Sequence, residues 1–220
     1  MRDDEFYENS FGGLYATGFT GFLKGMFHKL IGFPFHNSRT ETILEVGAEH
    51  EVHPNYVNGN FATYYMTDTF IDQDLKFNDS PEKLVVIEQA AQNLDFENDI
   101  FDRDIATCCI AHIGNPTTAL GEWRRVTKDM SDITISIPCE YGVLMRLFRF
   151  VLILPKSLLK GVSKFNSLIV LKRRNSYHFV KHLMKMELKG DEVRLRRYPF
   201  PLSNWNLNAS AIASIEINKG

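Results

Sequence analysis

Glu41-Thr42-Ile43-Leu44-Glu45-Val46-Gly47-Ala48 is the stretch on which the fold of this chain turns. It is a short apolar run that closes on an acidic residue and then a glycine. In an α/β protein such a run is a first buried strand entering a tight turn, because strands covered on both faces carry few polar positions. Open parallel sheets bind ligands outside the carboxyl ends of their strands, so a nucleotide-like ligand is expected over this turn. The chain then continues Glu49-His50-Glu51-Val52-His53-Pro54, where a Gly-rich loop would be expected.

Working outward, Thr42 to Val46 is the first strand and Pro54 to Asn60 a short helix, with proline suited to a first helical turn. Phe61 to Thr67 is a second strand ending at Asp68. Residues 69–83 are polar and carry the turn signal Asn78-Asp79-Ser80-Pro81. The β-branched run Leu84 to Ile87 is a third strand. Asp99 to Asp102 leads into a fourth, Ile105 to Ile110. Thr117 to Thr127 reads as a helix, and Ile133 to Ile137 as a fifth strand stopped by Pro138. Strands alternating with helical segments at this spacing point to βαβ units and a mainly parallel sheet. Ser176 to Leu188 has one apolar face and is ended by Gly190, so it is a helix. Val193 to Tyr198 and Ala209 to Ile217 are two final strands. Their link is too short for a parallel crossover, so they pair antiparallel.

Two segments stand apart. Residues 1–40 are rich in Gly and aromatics, with a helix from Gly21 to Ile31 closed by Gly32 and Pro34. This segment is either a helix packed beside the sheet or a flap over a ligand. Residues 141–175 hold eight basic residues and no Asp or Glu, interleaved with apolar ones. They form a basic, apolar lid insertion whose cations either sit in water or meet an acidic substrate or an anionic membrane surface.

At 220 residues the chain can bury a sizeable core, and 44% apolar with 24% charged residues is the balance of a folded globular protein. A net charge of −2 gives no reason to expect nucleic acid. The acidic start Met1-Arg2-Asp3-Asp4-Glu5 is not a secretory signal, and Phe150 to Leu154 is far short of the ~20 apolar residues of a membrane span. Three cysteines, two adjacent, make neither a disulfide framework nor a metal-ligand spacing, so a reduced cytoplasmic compartment is expected.

The order of elements and three motifs resemble the class I S-adenosylmethionine-dependent methyltransferases of the type 11 kind. ILEVGAEHEVHPNYV (residues 43–57) resembles the family's first motif without a gap. AAQNLDFENDIFDRDIATCCIAHI (90–113) and NPTTALGEWRRVTKDMSDITISIP (115–138) resemble its middle block in order and spacing. RRYPFPLSNWNLN (196–208) is similar to a tail of some small-molecule members. The resemblance covers roughly residues 40–217. It implies a Rossmann-like, seven-stranded, mostly parallel sheet with an antiparallel last strand and helices on both faces, in one methyltransferase domain over 1–220.

The resemblance also implies a cofactor, S-adenosylmethionine, and residues to hold it. Glu45 matches the acidic end of the first strand. Gly47 matches the first motif glycine, where backbone must approach the ligand closely, with Ala48 and Glu49 following it. Asp68, with Asp72 as a fallback, matches the acidic residue that accepts hydrogen bonds from the ribose hydroxyls, a task suited to a two-oxygen acceptor. Ala91, Gln92, Asn93 and Leu94 match the segment bordering the adenine. Cys108 to His112 match the floor under the sulfonium and the edge of the substrate site.

There are departures. Glu49 and Glu51 replace the second and third motif glycines, Ala90 replaces the usual aspartate, and Lys128-Asp129-Met130-Ser131 replaces a Pro-Gly-Gly turn. Two carboxylates near the cofactor's own carboxylate cost free energy unless one is protonated or a cation such as His50 or His53 intervenes.

Methyl transfer from a sulfonium is an in-line displacement in which alignment supplies much of the rate. A hydroxyl acceptor often needs a general base, for which His112 is the candidate, with Tyr7, His28 and His178 behind it. A dehydrogenase lacks its G-x-G-x-x-G here and an α/β-hydrolase its G-x-S-x-G. His50 and His53 with Glu49 and Glu51 lack the fixed register a metal site needs, so no metal is expected. Two functions remain: a methyltransferase for a small-molecule, saccharide or lipid-head-group acceptor, or a non-catalytic member that keeps the fold as a binding or scaffold protein.

Overall fold

The computed structural model describes residues 18–32, 40–48, 53–57, 61–70, 83–159 and 173–220. Glu49, His50 and Glu51 lie outside the described residues, as do Tyr7, Asp72, the turn at 78–81 and the middle of the basic insertion.

Seven strands form one sheet in the order β3-β2-β1-β4-β5-β7-β6. They are β1 (Thr42–Val46), β2 (Thr63–Asp68), β3 (Lys83–Glu88), β4 (Phe101–Thr107), β5 (Thr127–Pro138), β6 (Glu192–Tyr198) and β7 (Ser210–Glu216). β1, β2, β3, β4 and β5 run parallel, while β7 is antiparallel to both its neighbours. The chain leaves β1 toward β2 and β3, then returns to the other side of β1 to form β4. The order therefore reverses between β1 and β4, and the crevice above that point is where such sheets take ligands.

Strand alternation sends successive side chains to opposite faces. Ile43 and Tyr64 join Ile105, Met66 and Ile212 on one face, against Ile31 of α1 (Gly18–Gly32). Leu44, Val46, Ala106 and Ile135 face the other way, against α2 (Pro116–Val126) and α5 (Tyr177–Glu187). Helices thus cover both faces, as expected. The ends of these helices follow local chemistry. The Asn115 and Ser176 side chains accept from Thr118 N and Phe179 N, satisfying amides that the first turn leaves open. At the other end of α1, buried Arg103 donates from Nη2 to Ile31 O at 3.0 Å. Burial pulls Arg103 down to about 10, against the opposing pull of Tyr64 and Asp132.

Several elements differ from the sequence expectation. β4 begins at Phe101 rather than Ile105, because Asp102 is a strand partner and not part of a lead-in. Its Oδ2 accepts from Glu41 N, Thr42 N and Thr42 Oγ1, at 3.0, 2.8 and 2.9 Å. β4 then stops at Thr107, and Cys108 with φ of 60° turns the chain into a 3₁₀ turn, Cys109–Ala111. β5 starts at Thr127 and runs through the segment expected to be a turn. The register jumps there, from Phe101 opposite Thr127 to Arg103 opposite Asp132, so Lys128–Ser131 is absorbed as a bulge. The helix expected from Pro54 is a 3₁₀ turn, His53–Tyr56.

Residues 143–159 of the basic insertion are helical. α3 (Val143–Phe148) continues through a π turn (Arg149–Ile153) into α4 (Leu154–Leu159). No helix among the described residues is long and apolar enough to cross a membrane.

Candidate functional site

The crevice between β1 and β4 is built from four strand ends. At the end of β1, Glu45 is buried and its Oε2 accepts from Tyr64 Oη at 2.9 Å. Burial first, and then the Glu45 charge and hydrogen bond, raise the Tyr64 hydroxyl well above its ordinary value, so tyrosine donates and glutamate accepts.

Gly47 follows with φ of +72°, and both Gly47 N and Ala48 N donate to Thr67 O, at 2.8 and 3.1 Å. A Cβ on Gly47 would lie 2.3 Å from the Cys109 Cβ. The glycine thus lets the turn after β1 close onto the turn after β4. The close approach read from the sequence as one to a ligand is, in this direction, an approach to Cys109.

Asp68 ends β2 at the same edge, half-exposed, with Oδ1 accepting from Phe70 N at 3.1 Å. Burial pushes the Cys109 thiol well up, and the nearby Asp68, Cys108 and Glu45 groups add to that rise. Residues 45, 68, 108 and 109 are therefore gathered at one point, though the chain separates them by up to sixty-four positions.

The segment after β3 is held by α2. Trp123 Nε1 donates to Ala91 O at 3.0 Å, and Leu94 N donates to Glu122 Oε2 at 3.1 Å. Arg125 Nη2 bonds both Leu94 O and Glu122 Oε2 at 2.9 Å, and its Nη1 bonds Phe96 O at 2.7 Å. Asn93 N closes a turn on Ala90 O at 2.9 Å. Burying Glu122 would raise its carboxyl, but the Arg125 hydrogen bond outweighs this and holds it below the usual range. The residues named for the adenine border, Ala91, Gln92, Asn93 and Leu94, are thus presented on a fixed turn. Glu122, Trp123 and Arg125 are the residues that fix it.

On the β4–β5 side, Cys108 N donates to Ser136 O at 3.2 Å and His112 N to Cys109 O at 2.8 Å, leaving the His112 side chain half-buried. Asn175, which sequence reasoning passed over, clamps this turn. Its Nδ2 donates to Ile110 O at 2.8 Å and Ile113 O at 2.7 Å, and its backbone N to Ala111 O at 3.0 Å.

Beyond β5, buried Glu140 is contacted by the guanidiniums of Arg149 and Arg173. Two of the eight cations of the insertion are therefore paired with a carboxylate just outside it, and are not solvated. Tyr64, Asn175, Glu140 and Arg173 carried no signal in a linear motif.

Two secondary candidates sit elsewhere. His28 and His53 are buried against each other, Nδ1 to Nδ1 at 2.7 Å, which joins α1 to the turn after β1. His178 lies on α5 with its ring edge against Trp205, at 4.8 Å between centroids. Among the described residues no group of three or more His, Cys, Asp or Glu is placed to hold a metal ion.

Neither a family model nor a curated protein matches the sequence. Solved structures do. The chain superposes on a SAM-dependent methyltransferase from Thermotoga maritima with a TM-score of 0.57 at 14% identity, over 99% of this chain and 97% of that one. It superposes on the plantazolicin methyltransferase BpumL, in complex with a triazolic desmethylPZN analog and SAH, with a TM-score of 0.63 at 16% identity, over 99% and 92%. For phosphoethanolamine N-methyltransferase 2 of Haemonchus contortus, in complex with S-adenosyl-L-methionine, the TM-score is 0.63 at 11% identity, over 99% of this chain but only 59% of that one.

This is the class I methyltransferase fold. In a class I methyltransferase sheet the gathered strand ends lie at the reversal of strand order, where the fold takes its ligand. Of the residues singled out from the sequence, Glu45, Gly47, Ala48, Asp68 and Cys108 share that crevice with Cys109. Ala91 to Leu94 follow β3 and are held on α2, and His112 lies in the turn after β4.

Proposed function

We propose that this chain is a cytoplasmic S-adenosylmethionine-dependent methyltransferase. The observation that carries this reading is the convergence of Glu45, Asp68, Cys108 and Cys109 at the switch point, across a turn that only glycine at position 47 can make. These residues suit the cofactor. Asp68 offers a carboxylate to a ribose diol, the Gly47–Ala48 turn and Glu45 support the methionine half, and the turn from Ala91 to Leu94 borders the adenine. When bound, the cofactor supplies an electrophilic methyl group on a sulfonium. The chain's own residues then align and exclude water. Cys108 and Cys109 form the floor, and His112 takes a proton from the acceptor atom where that atom is a hydroxyl.

Isothermal titration with S-adenosylmethionine and S-adenosylhomocysteine tests this. Both bind if the reading is right, and no binding of either removes it. The departures at Glu49, Glu51 and Ala90 favour the second reading, a non-catalytic binding or scaffold protein. Replacing Glu49 and Glu51 together by glycine separates the two. A weakened cofactor site tightens, whereas unchanged or weaker binding means that the carboxylates point away or serve another purpose.

For the acceptor we infer a small molecule, saccharide or lipid head group, with residues 141–175 as a lid. Leu147, Phe150, Val151, Leu158 and Leu159 are all exposed on α3, the π turn and α4, next to Arg146 and Lys156. Exposed apolar groups among cations are the complement of an anionic bilayer surface, and they favour a lipid-linked acceptor. The Haemonchus contortus neighbour is named for phosphoethanolamine, which is itself a lipid head group. Liposomes with anionic lipid retain the protein at low salt on this reading. Equal loss to the supernatant with and without anionic lipid removes the membrane contact.

A further inference from the structure

We propose that Glu140, Arg149 and Arg173 form an anion-binding subsite that takes a carboxylate or phosphate group of the methyl acceptor. The identity of the ligand as an acceptor rests on the methyltransferase reading, but the anion site itself stands on its own geometry.

Glu140 lies two residues past the end of β5 and is 7% exposed. Both oxygens of its carboxylate are engaged, Oε2 by the Arg149 guanidinium and Oε1 by that of Arg173. Arg149 Nη2 also donates to Glu140 O at 2.8 Å. The two arginine side chains are only 12% and 13% exposed.

Among the described residues, one carboxylate against two guanidiniums leaves one positive charge in excess in a shielded place. Such an excess is costly unless a counter-charge is supplied. The hydrogen bonding is also incomplete, because Arg149 Nε and Arg173 Nε are both buried without an acceptor among the described residues. A guanidinium is a planar fork of donors that matches carboxylate and phosphate oxygens, so the missing partner has that chemistry. Arg149 opens the π turn of the insertion, and π turns recur at functional sites because they re-aim one side chain out of helical register.

The placement fits an acceptor. β5 lies beside β4, and β4 beside β1, so β5 is roughly 10 Å from the strand that ends under the cofactor crevice. Arg173 is two residues before Asn175, whose side chain holds the His112 turn. The Arg174 guanidinium runs beside Gly114 on the same turn. An anionic tail held at Glu140–Arg149–Arg173 would leave the reacting end of a small molecule near His112.

A purely structural clamp would use the same three residues, and the two roles differ in one sign. In a clamp, Glu140 is the partner both arginines need. In an anion subsite, Glu140 also competes with the ligand for them. The experiment titrates inorganic phosphate, and separately acetate, into the wild-type chain, Arg173→Gln and Glu140→Gln. Ionic strength is held constant with chloride, thermal unfolding is followed, and each variant is first checked for native circular dichroism.

The expected result is a saturable rise in unfolding temperature for the wild type, at least tenfold weaker apparent affinity in Arg173→Gln, and at least threefold tighter affinity in Glu140→Gln. A response to acetate as well as phosphate assigns a carboxylate or phosphate ligand, and a response to phosphate alone narrows it to a phosphoryl group. No saturable response to either anion overturns the proposal. So does a Glu140→Gln affinity equal to or weaker than the wild type, which is the clamp result. If Arg173→Gln does not fold, the Glu140→Gln comparison decides alone. The titrations contain no cofactor and no methyl transfer, so their failure leaves the cofactor reading intact, and failed cofactor binding leaves theirs intact.

Discussion

Gly47 is constrained from two sides, and either would exclude a side chain. Its φ of +72° is a conformation that costs other residues about 1–3 kcal/mol. Its missing Cβ leaves room for Cys109, whose Cβ would otherwise be 2.3 Å away. Gly47→Ala should therefore lose at least about 2 kcal/mol in urea unfolding, since strain and overlap both apply. Adding Cys109→Gly should recover the overlap part but not the strain. A Gly47→Ala chain with the wild-type urea midpoint would show that the two turns are not pressed together.

Asp104 makes a different argument. It is buried in β4, and its Oδ2 accepts from Thr127 Oγ1 at 2.8 Å. Burial pushes its carboxyl well above the usual range, and the Thr127 hydrogen bond and the Lys219 charge do not cancel this. An acid whose pKa is higher folded than unfolded costs nothing while it is protonated in both states. That holds below its unfolded value of about 4, and stability is lost as pH rises from there through the folded value. Asp104→Asn keeps the shape without the titration. It should gain stability over the wild type, and the gain should be larger at pH 8 than at pH 5. An equal difference at both pH values would mean that Asp104 does not titrate differently in the two states.

At the scale of elements, strands were the more legible. β1 ends where its apolar run ends, because both its faces are covered. α2 and α5 have one apolar stripe each and capping residues at their starts, so pattern and end signals agree. The helical run from Val143 to Leu159 was hidden for the opposite reason. Its solvent side carries Leu147, Phe150 and Leu158, so there is no polar stripe to set a period. β4 was misplaced because Asp102, Arg103 and Asp104 look like loop. Each makes a tertiary hydrogen bond, to the start of β1, the end of α1 and Thr127 respectively.

The turn after β4 is likewise held from far along the chain. Asn175 is its clamp, and its two side-chain hydrogen bonds bind the carbonyls on either side of His112. Asn175→Ala should lose about 1–3 kcal/mol of stability, the cost of leaving carbonyls without donors. On the methyltransferase reading it should also lower the methyl-transfer rate while S-adenosylhomocysteine affinity stays within about twofold, because the turns at Gly47 and Asp68 are untouched. A fall in affinity equal to the fall in rate would mean that the clamp serves the whole crevice rather than its acceptor side.

At the scale of the molecule, topology follows from order. Five strands with crossovers can be laid into few sheets, and a closing pair joined by a short link must be antiparallel. The crevice is less readable, since it is an encounter of four strand ends. A linear motif names Glu45 and Gly47, but it cannot show that Cys109 fills the space beside the glycine. Nor can it show that Glu140 draws two arginines out of the insertion.

On the methyltransferase reading, the same dispersion makes cofactor binding a global event. A ligand touching the ends of β1, β2, β3 and β4 binds only when the parallel half of the sheet is assembled, so its affinity for the unfolded chain is negligible. At a free concentration one hundred times its dissociation constant, such a ligand stabilises the folded state by about 2.7 kcal/mol. For a chain of this size each kcal/mol moves the unfolding temperature by roughly 2–4 °C. S-adenosylhomocysteine at saturation should therefore raise the melting temperature by about 5 to 10 °C, by an amount that grows with the logarithm of its concentration. Asp68→Asn should reduce the shift without lowering the melting temperature of the free chain by more than about 2 °C, because Asp68 is half-exposed and its loss costs little structure. Should the unfolding temperature stay flat across the titration while direct calorimetry detects heat, binding would be confined to one loop, and the four-strand crevice would not be the cofactor site.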